Sequence, residues 1–148
     1  MSFKTLVDVE DKIQRIERSN HQVLAKWTAA QNFYHLAAAF EASIEGLPVG
    51  FPLIARKVVR PMRWIITRIC FPPSIPIPES IRFKLEPPIG ADFDAQKIRL
   101  LEGIDRFRRF DGQHPPHPVL GPLTREEWTG FHLRHCQHHL SFIKLKSN

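Results

Sequence analysis

Four of the chain's eight histidines lie close together near the C-terminal end of the sequence, at His132, His135, His138 and His139. Imidazole is the commonest protein ligand for a transition metal. Two histidines four positions apart on a helix lie one turn above each other, so both can reach one ion. His135 and His139 have this spacing. We therefore predict that they bind a divalent metal.

A third ligand must come from another part of the chain, because a catalytic zinc-type site has three protein ligands and an open position. We predict His35, which lies well inside a strongly apolar helical segment. Its face also has small residues that would let a neighbouring helix come close: Ala38, Ala39 and Ala42. The alternative is a core histidine without metal, and His35 does lie outside the main apolar stripe of its helix.

One side of the C-terminal helix combines aromatic and polar rings. At about 100° per residue it includes Trp128, His132, His135, His139 and Phe142. Burying several polar rings without shared partners is costly, so a metal or a hydrogen-bonded network is expected there. His138 and Cys136 lie off this side, and Cys136 is expected to pack inertly, with a thiolate ligand as the alternative. His21, His114 and His117 fall in expected loops and are not expected to be ligands.

The elements that must position these residues have helical periodicity. We predict helices over residues 7–20, 28–46, 52–70, 94–110 and 124–145. Two of them begin with a capping box, at Thr28 and Thr124, in which two residues satisfy each other's backbone amides. Gly46 is expected to end the second helix, and Pro61 is expected to kink or break the third.

Residues 71–93 contain six prolines, which we take to exclude a regular helix. We expect this segment to form an extended arm across the bundle or against a partner. Strand-type alternation is scarce elsewhere, so the predicted fold is all-α, an antiparallel four-helix bundle with a long proline-rich crossover. A chain of 148 residues is expected to form a single domain over residues 1–148.

Composition and charge exclude several classes of protein. A net charge of +6 favours anionic partners without selecting among them. We expect no stable membrane insertion and a cytoplasmic location, because no uncharged run approaches the roughly 20 residues of a membrane span and no secretory signal is evident. We expect no nucleic-acid partner, because the sequence has no helix-turn-helix signature. Cys70 and Cys136 are expected to be reduced, and a disulfide between them is the less favoured alternative.

A basic series lies in the third predicted helix. Arg56, Arg60 and Arg63 share one face at positions i, i+4 and i+7. These side chains are candidates to bind the carboxylates of a small anionic substrate, although a solvated basic face is the simpler interpretation. A third interpretation is contact with a membrane surface, because Trp64 and the isoleucines near it supply an apolar side.

Three stretches of the sequence resemble the DinB/YfiT-like superfamily. They are WTAAQNFYHLAAAFEASIEG at residues 27–46, GPLTREEW at 121–128 and HCQHHL at 135–140. The last two resemble a branch of unknown function, and the likeness extends over residues 27–142. The resemblance implies a bacterial protein, an up-down-down-up four-helix bundle, a homodimer and a nickel or zinc ion on three histidines. By position these would be His35, His135 and His139.

The resemblance also implies a range of reactions. Relatives include S-transferases that use bacillithiol or mycothiol, a maleylpyruvate isomerase and hydrolase-like proteins. Our leading hypothesis is a metal-dependent thiol S-transferase or hydrolase that takes a small-molecule substrate and, in the first case, a low-molecular-weight thiol. The alternative is a non-catalytic, metal-stabilised binding module. The insertion at residues 51–91 departs from the simplest members, and no general base is evident, since Glu41 and Glu45 face solvent as readily as the pocket.

Overall fold

The computed structural model describes residues 2–47, 57, 61, 63–69, 77 and 79–146 of the chain. The helices and strands within these ranges are, in chain order, α1 Leu6–Arg18, β1 His21–Val23, α2 Ala29–Glu45, α3 Arg63–Arg68, α4 Glu79–Leu85, α5 Phe93–Arg109, α6 Arg125–Ser141 and β2 Ile143–Leu145. The expectation of a mostly helical protein is confirmed.

Helix α1 lies against the bundle through one apolar side. It begins with a capping box in which the Thr5 side chain accepts from the backbone of Asp8 and the Asp8 side chain accepts from the backbone of Thr5. Val9, Ile13 and Ile16 recur at helical spacing and are fully buried. This side packs against α5 and α6.

Helix α2 is the central element of the fold. It begins with the capping box predicted at Thr28, and it ends at Gly46, whose φ of 81° favours glycine. Phe33 and Phe40 are fully buried on one side, and Ala38 and Ala39 are buried on the others, so α2 is covered on more than one side. It packs along α5 and also contacts α6 and α4. A histidine that lies off the main apolar stripe of α2 is therefore still inside the protein.

Helix α5 supplies the opposite wall of the core. The Asp92 side chain caps its first turn by accepting from the Ala95 amide at 2.8 Å. Leu100, Ile104 and Phe107 form its buried face, as the sequence spacing predicts.

The C-terminal helix is shorter than predicted. A helix over residues 124–145 was the expectation, but α6 ends at Ser141 and residues 143–145 form β2, which pairs antiparallel with β1. The prediction was wrong because Ile143 is buried and Lys144 is exposed, a strand-type alternation too short to stand out in the sequence. The pairing of β1 and β2 is extended by one further hydrogen bond, from the Leu24 amide to the Phe142 carbonyl at 2.9 Å. It ties the end of α6 to the segment that leads into α2.

The prediction that residues 71–93 exclude a regular helix was also wrong, because α4 forms at Glu79–Leu85. The prolines flank this helix: Pro78 precedes it, and Pro87 and Pro88 follow it, so none interrupts its hydrogen bonds. Arg82 pairs within the helix with Glu79 at 2.8 Å. Residues 71–76 of the expected arm lie outside the described residues.

Helix α3 is the described part of the helix predicted over residues 52–70, and it lies directly on α6. A Cβ atom at Gly130 would lie 2.2 Å from the Thr67 carbonyl oxygen, so only glycine permits this approach. Arg63 ties the pair together through Glu127, with Nη2 and Oε1 2.6 Å apart. The kink expected near Pro61 falls among residues most of which are not described. None of the helices in the described ranges is long and apolar enough to cross a bilayer.

Candidate metal centre

The rings of His35, His135 and His139 converge between α2 and α6. Their centroids are 5.0 Å apart for His35 and His135, and 4.7 Å apart for each of the other two pairs. One nitrogen of each ring lies within 4.8 Å of the other two nitrogens, so the three could hold a metal ion. The convergence predicted from the sequence is confirmed.

The Nε2 lone pair of His35 is available to the cluster of three histidines. Its Nδ1–H donates to the backbone carbonyl of Leu85, the last residue of α4, at 2.8 Å. A carbonyl only accepts, so the hydrogen of the neutral ring lies on Nδ1 and Nε2 is left with a lone pair. This is the arrangement that metal-binding histidines need from their outer partner.

His139 is oriented in the same way by Asn32. The Asn32 Nδ2 donates to the carbonyls of Trp27 and Thr28 at 3.3 and 2.9 Å, which fixes the amide with its oxygen towards His139. His139 Nδ1–H donates to that oxygen at 2.9 Å. The Nε2 of His139 is therefore the second lone pair available to an ion.

The spacing of the nitrogens fits a common ion. Nε2 of His35 lies 3.1 Å from Nε2 of His135. Two nitrogens bound at about 2.0–2.1 Å with a tetrahedral angle between them would lie roughly 3.3 Å apart. A hydrogen on Nε2 of His135 would make this contact a hydrogen bond. A cation between the two rings would instead be bound by both nitrogens, and the His139 ring would supply its third ligand.

Burial holds all three imidazoles in the neutral form that binds metal. His35 and His135 are 6% and 5% exposed, whereas His139 is partly exposed. Desolvation is the main cause that lowers the pKa of His35, and it lowers the pKa values of His135 and His139 further, well below 6.5, with help from the neighbouring histidines. Because a protonated imidazole cannot bind an ion, these shifts favour metal binding near neutral pH.

Aromatic side chains pack around the three histidines. Trp27 stacks on His139 with centroids 5.7 Å apart and lies 5.1 Å from His35. Phe131 lies 5.3 Å from His135 on the other side. The half-buried His138 is 5.1 Å from His139, ring to ring, so the more exposed side of the centre is the one next to His139.

No carboxylate joins the three histidines within the described ranges. The two glutamates considered from the sequence pair with α5 instead. Glu41 binds Arg99 at 2.6 Å, and Glu45 binds Arg106 at 3.0 Å. Neither therefore stands out as a general base.

The other predicted site residues have different surroundings. Arg63 donates to Glu127 and, at 2.9 Å, to the Pro122 carbonyl, which makes it a contact between α3 and α6. Arg56 and Arg60 lie outside the described residues, as does Cys70. Cys136 has a free, fully buried thiol whose pKa is raised by desolvation, so a neutral packing residue is favoured over a thiolate ligand.

Three residues that orient or wall the centre were not predicted from the sequence: Asn32, Leu85 and Trp27. Leu85 acts through its backbone carbonyl, and a carbonyl leaves no sequence signal. Asn32 did leave one, because it is a buried amide one turn into an apolar helix, three residues before His35. A buried amide needs partners, and those partners could have been sought among the histidines.

Comparison with known proteins adds one finding. The model of the family described as "Protein of unknown function (DUF1569)" matches residues 1–146. No curated protein and no solved structure matches the chain.

Proposed function

The chain belongs to the DUF1569 family, whose function is unknown, and on this premise we propose that it binds one divalent metal ion through Nε2 of His35, His135 and His139. The observation that supports this most strongly is the pair of outer hydrogen bonds, from His35 to the Leu85 carbonyl and from His139 to Asn32. Each bond leaves Nε2 of its histidine with a lone pair for the ion, and the three rings lie close enough together to share one. Nickel and zinc suit an all-imidazole ligand set.

We also propose a DinB-like bundle made of α1, α2, α5 and α6. These four helices have 13 to 17 residues each, and α2 packs on both α5 and α6. The connection between α2 and α5 spans residues 46–92, long enough to cross the bundle and leave two successive helices parallel, as an up-down-down-up order requires. A homodimer is part of the same proposal, and light scattering over a range of concentrations tests it.

The proposed chemistry is that of a thiol S-transferase or a hydrolase. A divalent ion on three neutral imidazoles keeps its full charge, so when bound it acidifies a thiol or water and polarises a carbonyl oxygen. The chain's own residues keep the three imidazoles neutral by burial, and Leu85 and Asn32 hold His35 and His139 in the tautomer that a metal ligand needs. Trp27 and Phe131 exclude water around the centre, which strengthens electrostatic interactions there.

Binding of an anionic substrate by Arg56, Arg60 and Arg63 is a further part of this proposal. It rests on their sequence spacing. Of the three, Arg63 is described, and its guanidinium is already satisfied by Glu127 and Pro122. We therefore assign any direct contact with substrate to Arg56 and Arg60, and a supporting role to Arg63.

The second candidate function is a metal-stabilised binding module without turnover. One observation favours it: no carboxylate joins the three histidines in the described part of the chain, so no acidic side chain there is placed beside them as a general base. The two candidates share the metal and differ in the chemistry, so they are separated by activity measurements on metal-loaded protein.

The test is elemental analysis of untagged protein, comparing wild type with His135→Ala and, as a control, His21→Ala. His21 lies on β1 and is not one of the three histidines of the centre. We expect one nickel or zinc ion per chain in wild type and in the control, and none in His135→Ala. Equal metal in all three proteins would disprove the assignment. Loaded wild-type protein is then assayed for transfer of a low-molecular-weight thiol to an electrophile and for ester hydrolysis, and inactivity in both favours the binding module.

A further inference from the structure

A second group of polar rings lies on α6, one turn before the metal ligand His135. His132 is only 1% exposed and lies between two aromatic rings. Phe40 stacks on it at 3.9 Å and 13°, and Trp128 stacks on the other side at 5.6 Å and 24°. The edge of the ring faces Phe107, whose centroid is 4.8 Å away at 78°.

Four buried nitrogens in this group have no hydrogen-bond partner among the described residues. They are Nδ1 and Nε2 of His132, Nε1 of Trp128 and Nε2 of His114. The three side chains are neighbours, since the Trp128 ring lies 5.6 Å from His132 and 6.2 Å from His114. Buried polar groups in folded proteins are nearly always hydrogen-bonded, so a cluster of four nitrogens without a partner among the described residues indicates a bound molecule.

The positions of the hydrogens on these nitrogens define which hydrogen-bond donors and acceptors the bound molecule must have. His114 Nδ1–H donates to the Ser43 carbonyl at 2.8 Å, so its Nε2 is an acceptor. The Trp128 indole is only a donor. Desolvation lowers the pKa of His132 well below 6.5, so its neutral ring provides one donor and one acceptor. The group therefore has two donors and two acceptors.

This balance excludes a single ion bound by all four nitrogens. A metal cation requires lone pairs, and the indole N–H has none to give; an anion requires donors, and half of the group consists of acceptors. The described residues that could jointly hold a metal are His35, His135 and His139, and none of the second group is among them. A neutral molecule that both donates and accepts fits all four nitrogens, and water is the smallest.

We infer that His132, His114 and Trp128 form a buried hydration site, separate from the metal centre, that holds at least two water molecules. Two are required because the nitrogens of one imidazole point in diverging directions, so one water cannot reach both nitrogens of His132. Each water bonds one of these nitrogens, and at least one of the two also bonds His114 Nε2 or Trp128 Nε1. Its residue His132 lies one helical turn before His135 on α6, and we expect the water molecules to bind with or without the ion.

A high-resolution crystal structure of the full wild-type chain tests this inference. We expect two water peaks, each about 2.7–3.2 Å from one nitrogen of His132. The inference is overturned if the space is dry, if a protein atom from residues 48–62 or 70–78 bonds these nitrogens, or if an anomalous peak shows a metal there.

A variant sharpens the test. His132→Phe keeps a ring in the stack and removes both nitrogens, so we expect the waters beside residue 132 to disappear and the Trp128 indole N–H resonance to shift, while the metal content is unchanged. His138→Phe makes the same change on the same helix outside this stack and should leave both the waters and the Trp128 resonance as in wild type. Unchanged water peaks in His132→Phe would also overturn the inference. The wild-type structure decides by itself if the variant does not fold.

Discussion

Helix α6 has two groups of buried histidines on one side, and they differ in their hydrogen bonds. In the metal centre, His139 has one nitrogen bound to a protein acceptor and the other directed at a shared point, as His35 does from α2. In the stack one turn earlier, neither nitrogen of His132 meets a partner among the described residues. The same residue type on the same helix thus has two different roles, and the neighbours supplied by other elements decide between them.

The neighbours differ in kind. The metal centre receives polar outer partners from the first turn of α2 and the end of α4, namely Asn32 and the Leu85 carbonyl. The stack receives aromatic rings, Phe40 from α2 and Phe107 from α5. Both environments keep histidine neutral by desolvation, but only the first fixes the tautomer that a metal ligand needs.

The largest expected effect is on metal affinity. Replacing His139 by alanine should lower the affinity for nickel or zinc by more than about 100-fold, because it removes a direct ligand rather than an outer partner. Isothermal titration calorimetry on metal-free protein measures this change. His132→Phe is the matched comparison and should keep wild-type affinity. Equal losses in both variants would mean that the two groups form one site.

The next effect is the pH dependence of stability in the metal-free protein. The folded-state pKa values of His132 and of the three histidines of the metal centre lie below 6.5, and that of the neighbouring His117 is lowered to about 3 by burial. Unfolding therefore takes up protons below pH 6.5, so stability is full above this pH and falls as the pH drops further. The loss is about 1.4 kcal/mol per pH unit for each buried neutral histidine.

Urea unfolding at pH 7 and pH 5 measures this slope. In His132→Phe the slope should be smaller by the contribution of one histidine. A stability that rises on acidification would show that these histidines are protonated in the folded protein.

A smaller effect is expected at Asn32. Asn32→Ala removes the acceptor that holds Nδ1–H of His139, and loss of such an outer partner costs about 10–100-fold in metal affinity. Ser43→Ala is the control, because Ser43 is buried on the same helix and its hydroxyl, the group that the substitution removes, donates to the Phe40 carbonyl. If both variants bind metal as wild type does, Asn32 does not set the tautomer of His139.

The smallest effect is expected at Arg63. Arg63→Met removes the ion pair between α3 and α6 and should lower the free energy of unfolding by about 1 kcal/mol, the upper range for partly exposed pairs. Metal affinity should not change, because Arg63 does not contact the histidines. Calorimetry and urea unfolding of the same sample measure the two quantities, and a tenfold change in metal affinity would contradict this assignment.

Much of the fold and of the centre follows from the sequence. The capping boxes at Thr28 and Thr124 and the periodicity of α2 and α5 are local signals, so the extents of α2 and α5 and the beginning of α6 were predicted closely. The convergence of His35 with His135 and His139 also followed from placing the histidines on helices that pack together. At these positions the helical periodicity of the sequence and the packing between the helices favour the same structure.

Other features depend on contacts that leave little trace in the sequence. The strands β1 and β2 have three residues each, too few for alternation to be recognised in the sequence. They form only by pairing with each other, although they lie at opposite ends of the chain. The prolines around α4 looked like helix breakers and proved to be its boundaries. His114 was placed in a loop, where its ring nevertheless lies 5.3 Å from Phe107 and helps to form the second polar group.

The most direct test of the account is X-ray absorption spectroscopy of the full chain loaded with one equivalent of zinc. We predict three imidazole nitrogens bound at about 2.0–2.1 Å, and two in His139→Ala. A wild-type spectrum with fewer than three imidazoles, or with a sulfur in the first shell, would contradict the three-histidine centre.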